Sequence, residues 1–354
     1  MYDDKINKVL KKIYFEDNNK KIVKDESLQE FLKAFKLNEL KGMIIKYKIL
    51  SGDFDNIYEL QSSNKKNILI DYIISNIGKI TDFYVSIFND DSFIYLERII
   101  GYENIFDVRY GFDLMLLDFL KIHCFVKSEF DKKTQILSLY MPSEFKEAFK
   151  NSLSNKNVKK INKRNNQIFE FVFDVVSTYG IIELDKLCEI VNDMLVKIER
   201  DKLLNIIRAK GIVDEIYCYK YGEYTLICNL EFGDEDYAIS FYEEQVGIYK
   251  KYSKKEYKDI SSGEYVTHLK SYKNFFDYLD KYYEGIREDE DYIKDMYVLD
   301  YIFVSQTEIE IANHNFKCNI RELIDCDNLM IDNLLTMLKN IYKEYPKWRK
   351  RGNI

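Results

Sequence analysis

The chain has 354 residues, of which 46% are hydrophobic, and its formal net charge is −7. This length predicts two to four modules rather than one ordinary core, and the apolar content excludes global disorder. An acidic chain cannot coat nucleic acid over its whole surface, so any such contact requires a local basic patch. Prolines are confined to Pro142 and Pro346, and this scarcity of helix breakers favours a mainly α fold with small β-hairpins.

Residues 1–78 are predicted to form an N-terminal module of three helices. Apolar residues recur at spacings of three and four over residues 28–35 and 40–47, and again over 67–77. That spacing places the apolar side chains on one face of each helix. A polar segment, residues 61–66, is predicted as the loop before the third helix.

Two segments of this module carry a resemblance. Residues 37–49 (LNELKGMIIKYKI) and 64–77 (NKKNILIDYIISNI) combine a Leu-Lys pair before the loop with two lysines before an Ile-Leu-Ile helix. The pair resembles the small helical domain at the start of Rho termination factors and its SAP-type relatives. The resemblance implies a three-helix module that either contacts nucleic acid or serves as a helical spacer.

Residues 79–151 are predicted to form a winged-helix-like module. Three segments with helical periodicity, 80–88, 93–100 and 113–123, come first. Two β-rich runs, 124–130 and 134–140, then flank a short polar turn and predict a hairpin.

Residues 167–245 repeat the same order and predict a second winged-helix-like module. Two β-rich runs, 213–219 and 224–230, surround Gly222 and predict a hairpin. Gly180 and Gly211 are predicted to end the first and third helices. The three helices are predicted at 168–178, 184–195 and 200–209.

The segment between these modules, residues 152–166, is predicted to be a basic linker. It contains no acidic residue, and its cations could reach a phosphate backbone. A solvated connector is the alternative interpretation. The candidate nucleic-acid-binding residues here are Lys156, Lys159, Lys160, Lys163 and Arg164.

The third predicted helix of the second module would be the recognition helix of a winged helix. Its polar side chains suit phosphate contact but are weak base readers, because Glu199 and Asp201 dilute their charge. The candidate residues on it are Arg200, Lys202, Asn205, Arg208 and Lys210.

Residues 246–354 are predicted to form a helical C-terminal region that ends in a basic tail. The tail could stack on bases and neutralise phosphates through Lys347, Trp348, Arg349 and Arg351. The alternative is that Trp348 packs on the last helix.

Segments 179–191, 249–265 and 345–352 (YPKWRKRG) together resemble a group of low-GC bacterial proteins. Some of those proteins join a Rho N-terminal-like region to a SEC-C zinc motif. This chain lacks the CxCxSGxKxxxCC-type tail, so the function of that motif is not implied here.

No pattern of catalysis or metal binding is present in the sequence. No nucleophile elbow contains any of the three histidines, which are His123, His268 and His314. The phosphate-binding motifs GxxxxGK[ST] and GxGxxG are also absent. The six cysteines form no CxxC pair, which argues against zinc and predicts free thiols. We therefore expect no enzymatic activity, no cofactor and no metal.

The sequence also bears on location and partners. No run of apolar residues is long enough to span a membrane, and no secretory signal opens the chain, so a cytoplasmic location is expected. The predicted function is nucleic-acid-associated binding or regulation, weak and non-enzymatic, with a mobile-element origin as one interpretation. The alternative is a protein-interaction scaffold that uses acidic winged-helix modules as docking surfaces.

Overall fold

The computed structural model describes residues 21–23, 26–53, 55–101, 105–107, 120–131, 133–134, 136–214, 216–283, 286, 288–324 and 326–354. It comprises two compact units: unit 1 is Met1–Phe169 with Asp201–Asp214, and unit 2 is Glu170–Arg200 with Glu215–Ile354. Helices predominate and the described strands form two antiparallel sheets, so the predicted mainly α fold class is confirmed. No helix in these ranges is long and apolar enough to cross a membrane.

Unit 1 begins with a series of short helices. The Ser27 side chain accepts a hydrogen bond from the Glu30 amide and so caps the first of them. A helix that the sequence did not predict begins at Ile57, and its buried side chain is Leu60. The helices are α1 (Leu28–Lys33), α2 (Leu37–Ser51), α3 (Ile57–Ser62), α4 (Lys66–Ser75), α5 (Ile77–Val85) and α6 (Asp90–Gly101).

One hydrophobic core runs through unit 1. It extends from Leu28 and Phe31 of α1 to Phe145 and Phe149 of the later helix α7 (Ser143–Ser154). Two buried hydroxyls, Thr81 Oγ1 and Ser152 Oγ, meet at 2.9 Å between α5 and α7. The structure therefore has a continuous core where the sequence predicted a module boundary after residue 78.

The first sheet has strand order β1-β3-β2, with β1 at Ile105–Asp107, β2 at Lys127–Asp131 and β3 at Ile136–Tyr140. β2 and β3 pair antiparallel, with Phe130 opposite Leu137, which confirms the predicted hairpin. Most of the predicted helix at 113–123 lies outside the described residues.

The segment predicted as a basic linker is instead helical. α7 ends at Ser154, and α8 runs without interruption from Lys156 to Tyr179. The structure differs from the prediction because buried contacts on one side of α8, notably at Val158 and Asn162, hold these residues in a helix. A solvated connector would have no such contacts.

The second sheet, in unit 2, has strand order β4-β6-β5. β5 (Tyr217–Tyr221) and β6 (Tyr224–Cys228) confirm the hairpin predicted around Gly222, whose φ is 57°. β4 (Ile181–Glu183) follows Gly180, which has φ 70° and ends α8 as predicted. The helices between β4 and β5 in the chain are α9 (Leu184–Met194) and α10 (Arg200–Asp214).

Gly211 does not end the third predicted helix, because α10 continues to Asp214. A glycine within a helix lowers helix stability by about 1 kcal/mol relative to alanine. Tertiary context commonly overrides a preference of this size.

The C-terminal region is helical, as predicted, but more interrupted. A π-helix occupies Lys294–Leu299, and Trp348–Lys350 forms a single 3₁₀ turn. The helices are α11 (Glu235–Glu244), α12 (Lys254–Ser261), α13 (Lys270–Leu279), α14 (Glu290–Ile293), α15 (Asp300–Thr307), α16 (Ile309–Leu323) and α17 (Asn328–Glu344).

Candidate nucleic-acid interface

The first half of α8 presents a basic face, which consists of Lys156, Lys159, Lys160, Lys163 and Arg164. All five side chains are exposed. At 100° per residue they fall within an arc of about 140°, and at 1.5 Å per residue they extend over about 12 Å of the helix. The sequence predicted these residues as the cations of one linker, and the structure places them on one side of one helix.

The opposite side of this half-helix is anchored by amides. Asn162 Nδ2 donates to the carbonyl oxygens of Val85 at 2.9 Å and Phe88 at 2.7 Å, and Asn165 Nδ2 donates to that of Ser86 at 3.0 Å. These carbonyls lie at the end of α5, where a helix leaves acceptors without partners. The amides thus fix the rotation of α8 and direct the basic face outward.

The anchoring role of these asparagines was not predicted from the sequence. Asn162 and Asn165 lie in residues 152–166, which the sequence predicted as a basic linker. Their spacing, together with Asn166, follows the i, i+3, i+4 pattern of one helix face. That pattern within a basic run was the available signal.

The charges of the basic face are not neutralised within the part of the chain that the structure describes. None of its five residues forms an ion pair with a described residue. No acidic residue lies in the first turn of α8. The helix macrodipole is positive at this end, so Lys156 and Lys159 occupy positions where a cation is unfavourable. The positive charges of Lys156 and Lys159 therefore lower the stability of α8.

The position of Lys156 in the first turn of α8 predicts that replacing its positive charge stabilises the protein. Lys156→Glu should raise the free energy of unfolding by about 0.5 kcal/mol, because an anion suits the first turn of a helix. Urea unfolding at low ionic strength checks the value, and the gain should shrink when salt is added. The control is Lys339→Glu in α17, before its last turn, where the dipole contribution is small. Equal gains at both positions would contradict the dipole argument.

The candidate residues of α10 are mostly engaged. Lys210 is buried, and its Nζ donates to the Ile87 carbonyl at 3.1 Å and to Asn166 Oδ1. Asn205 is half-buried, and its Nδ2 lies 3.2 Å from the position that a Cβ on Gly52 would take. Lys210 therefore cannot contact a ligand without leaving the core of unit 1.

The other candidates of α10 are closer to solvent. Arg200 Nε forms an ion pair with Asp185. Lys202 is exposed and Arg208 is half-buried. The structure thus leaves α10 with fewer available cations than the sequence suggested.

The basic tail is part of the fold of unit 2. Trp348 is only 2% exposed, and its Nε1 donates to the Ser177 carbonyl at 2.9 Å. The prediction that Trp348 could stack on bases is therefore wrong, because its ring lies in the core with Phe232 and Phe241. The alternative prediction, that Trp348 packs on the last helix, gave its burial correctly. Its contacts, however, include residues far from that helix in the chain, such as Ser177 and Phe232.

The cations of the tail also have partners. Arg349 pairs with Glu244, and Arg351 Nη2 lies 3.6 Å from Glu183 Oε1. Lys347 Nζ donates to carbonyl oxygens at the end of α17, including that of Lys343 at 3.1 Å. Burial, and secondarily the nearby Lys350, lowers the pKa of Lys347 to about 8. The tail is therefore a weak candidate for phosphate contact.

The described residues include thiols and side chains that are potential metal ligands. No three His, Cys, Asp or Glu side chains among them come together where a metal ion could be held. The six cysteines are free thiols, as the sequence predicted. Burial raises the pKa of Cys228 and of Cys188, which keeps these thiols protonated and unreactive. His314 Nε2 lies 3.8 Å from the exposed Cys318 Sγ, on the surface of α16.

No protein-family model, no curated protein and no solved structure matches the chain.

Proposed function

We propose that this protein binds nucleic acid through phosphate contacts made by the basic face of α8. The observation that carries the proposal is the grouping of five exposed cations on one anchored helix face, without ion pairs to described residues. Such a face attracts phosphate even on an acidic chain, because the Debye length at physiological salt is about 8 Å and distant acids are screened. The proposed role is non-enzymatic, and the proposed location is the cytoplasm.

The element order supports the same proposal. From α8 to β6 the chain runs helix, strand, helix, helix, strand, strand, and the sheet order is β4-β6-β5. This matches the chain order of a winged helix, a module that frequently binds nucleic acid, although residues 201–214 of α10 belong to unit 1 and the sheet to unit 2. The Rho N-terminal-like pattern of residues 37–77 points to the same class of ligand.

The test is a salt titration of binding to a generic DNA duplex, followed by fluorescence anisotropy. If four cations contact phosphates, log affinity should fall against log salt with a slope of about −3.6. Replacing Lys159, Lys160, Lys163 and Arg164 together with glutamine should bring the slope to between 0 and about −1, because Lys156 is the one cation of the basic face that remains. Glutamine is chosen because it preserves helix propensity.

A matched control removes the same charge elsewhere. Lys251, Lys254, Lys255 and Lys258 lie near Asp193, Glu256 and Asp259 in unit 2, and their replacement with glutamine should leave the slope unchanged. Equal losses in both variants would mean that net charge, rather than the basic face, governs binding. Absence of binding by the wild type at low salt would overturn the proposal.

A groove in unit 1 favours a second candidate, the docking of a protein. The groove has a volume of about 620 Å³ and lies between α1, α5 and α7. Asp82, Glu144 and Glu147 line it together with apolar side chains such as Ile77. Charge complementarity favours a basic peptide as the occupant. Binding of a lysine-rich peptide, lost in Asp82→Asn/Glu147→Gln, would support this candidate.

A further inference from the structure

The side chains that a winged helix would use to read bases are mostly committed to contacts within the protein. Lys210 is 3% exposed, and its ammonium group is bound by Ile87 and Asn166. Asn205, which would be the amide reader of adenine, packs beside Gly52. Direct readout of base edges needs such groups free at the helix surface, so α10 is poorly equipped for sequence recognition.

The basic face also lacks the groups that bind single strands. Proteins that bind single-stranded nucleic acid combine cations with aromatic side chains on which bases stack. Among the exposed side chains of residues 156–167, none carries an aromatic ring, and the apolar one is Ile161, at 50% exposure. Further along α8, Phe169 and Phe171 are buried, and the exposed ring of Phe173 lies beyond the basic face. The face therefore offers charge without stacking.

The shape of the basic face suits a dense and regular array of charge. Its five cations extend over about 12 Å of a rigid helix. A duplex carries one phosphate per 1.7 Å of its axis, so about seven phosphates lie within that length. A helix whose rotation is fixed by Asn162 and Asn165 can meet such an array with little ordering cost.

We propose that the ligand of the basic face is the backbone of double-stranded nucleic acid, bound without sequence preference. This inference rests on the proposed function and specifies its substrate class. The phosphate array is common to duplex DNA and duplex RNA, and charge density rather than base identity determines the affinity.

The experiment measures anisotropy with labelled oligonucleotides of about 20 residues per strand at about 0.1 M salt. Two duplexes of unrelated sequence should bind within about twofold of each other, and duplex RNA within about threefold of duplex DNA. The constituent single strand should bind about sixfold more weakly. Counterion release is about 0.9 per contact for a duplex and about 0.7 for a single strand. Over about four contacts, and with equal affinities at about 1 M salt, this difference gives about sixfold at about 0.1 M.

Two variants complete the design. The glutamine variant of Lys159, Lys160, Lys163 and Arg164 should lose binding to every duplex. Lys202→Gln/Arg208→Gln on α10 should change duplex affinity by less than about twofold and create no difference between sequences.

The outcomes separate the inference from the function on which it rests. A preference of tenfold or more between the two DNA sequences, or single-strand binding as tight as duplex binding, would overturn the inference and leave the proposed function standing. Loss of duplex binding in the α10 variant alone would also overturn it. If no oligonucleotide binds at low salt, the proposed function fails as well.

Discussion

Replacing Trp348 with alanine should lower the free energy of unfolding by about 4 kcal/mol, the range typical of large aromatic residues in cores. The ring is 2% exposed and packs in a cluster that includes Ile181 of β4 and Leu226 of β6. Removing it leaves a cavity in the core of unit 2 and leaves the Ser177 carbonyl without its hydrogen bond from the indole. The cavity and the lost hydrogen bond both lower the free energy of unfolding.

Further contacts make the tail part of the core. Gln245 Nε2 donates to the carbonyl oxygens of Trp348 at 3.0 Å and Tyr179 at 3.1 Å. The Trp348 amide donates to Gln306 Oε1 at 3.2 Å. The segment that contains Trp348 is thereby tied both to the end of α8 and to α15.

Urea unfolding followed by far-ultraviolet circular dichroism checks the prediction, because the variant loses the chain's single tryptophan and its fluorescence. Hydrogen exchange at β4 and β6 should show lost protection within unit 2. Tyr282→Ala is the matched control, since Tyr282 is 60% exposed in the same unit, and it should cost less than about 0.5 kcal/mol. Equal effects of the two substitutions would contradict the assignment of Trp348 to the core.

Gly180 should couple to Trp348. Its φ of 70° disfavours any side chain, and an added Cβ would lie 2.6 Å from Trp348 Cδ2. Gly180→Ala should therefore cost about 1–2 kcal/mol from backbone conformation and a further 1–3 kcal/mol from overpacking. In the Trp348→Ala background the overpacking cost should vanish. A double-mutant cycle that gives simple additivity would contradict this contact.

The sequence predicted much of the local structure of unit 2. β5 and β6 followed from tyrosine- and isoleucine-rich runs around Gly222, and the start of α9 at Leu184 followed from apolar spacing. These features depend on neighbours close in the chain, where turn chemistry and periodicity are decisive.

Long-range contacts explain what the sequence could not predict. Trp348 lies beside Ser177 and Gly180, almost half the chain away, and nothing in the local pattern indicates that pairing. Lys210 belongs to a residue type that is almost never fully buried, yet partners from α8 and from the end of α5 bury it. The basic face itself required α8 to be a helix rather than a linker, because a flexible segment has no fixed face.

A buried ion pair in unit 1 supports the second large prediction. Glu26→Ala should lower the free energy of unfolding by about 3 kcal/mol, the low end of the cost of breaking a buried pair. The side chains of Lys127 and Glu26 form an ion pair at 2% and 9% exposure. Lys127 Nζ also lies 4.9 Å from the centre of the Phe31 ring. Without Glu26 the ammonium keeps that ring contact but loses its counter-charge, away from water.

The partner substitution tests the cause. Lys127→Met removes the buried charge and keeps most of the side-chain volume, so adding it to Glu26→Ala should restore most of the lost stability. Lys127→Met alone should cost less than Glu26→Ala, because the carboxylate it leaves behind is the more exposed partner. If Glu26→Ala lowers stability through lost side-chain volume, adding Lys127→Met will not restore it. If the loss comes from the unpaired charge of Lys127, adding Lys127→Met will restore it.

The neighbouring pair between Glu30 and Lys33 supplies the control. Its side chains are 58% and 44% exposed, so Glu30→Ala should change stability by less than about 0.5 kcal/mol. Urea unfolding of the full chain, with hydrogen exchange of the β2 and β3 amides as the report on unit 1, measures all four variants. Glu26→Ala and Glu30→Ala with equal small effects would show that water solvates Lys127. A double variant as unstable as Glu26→Ala would show that the loss comes from packing rather than from charge.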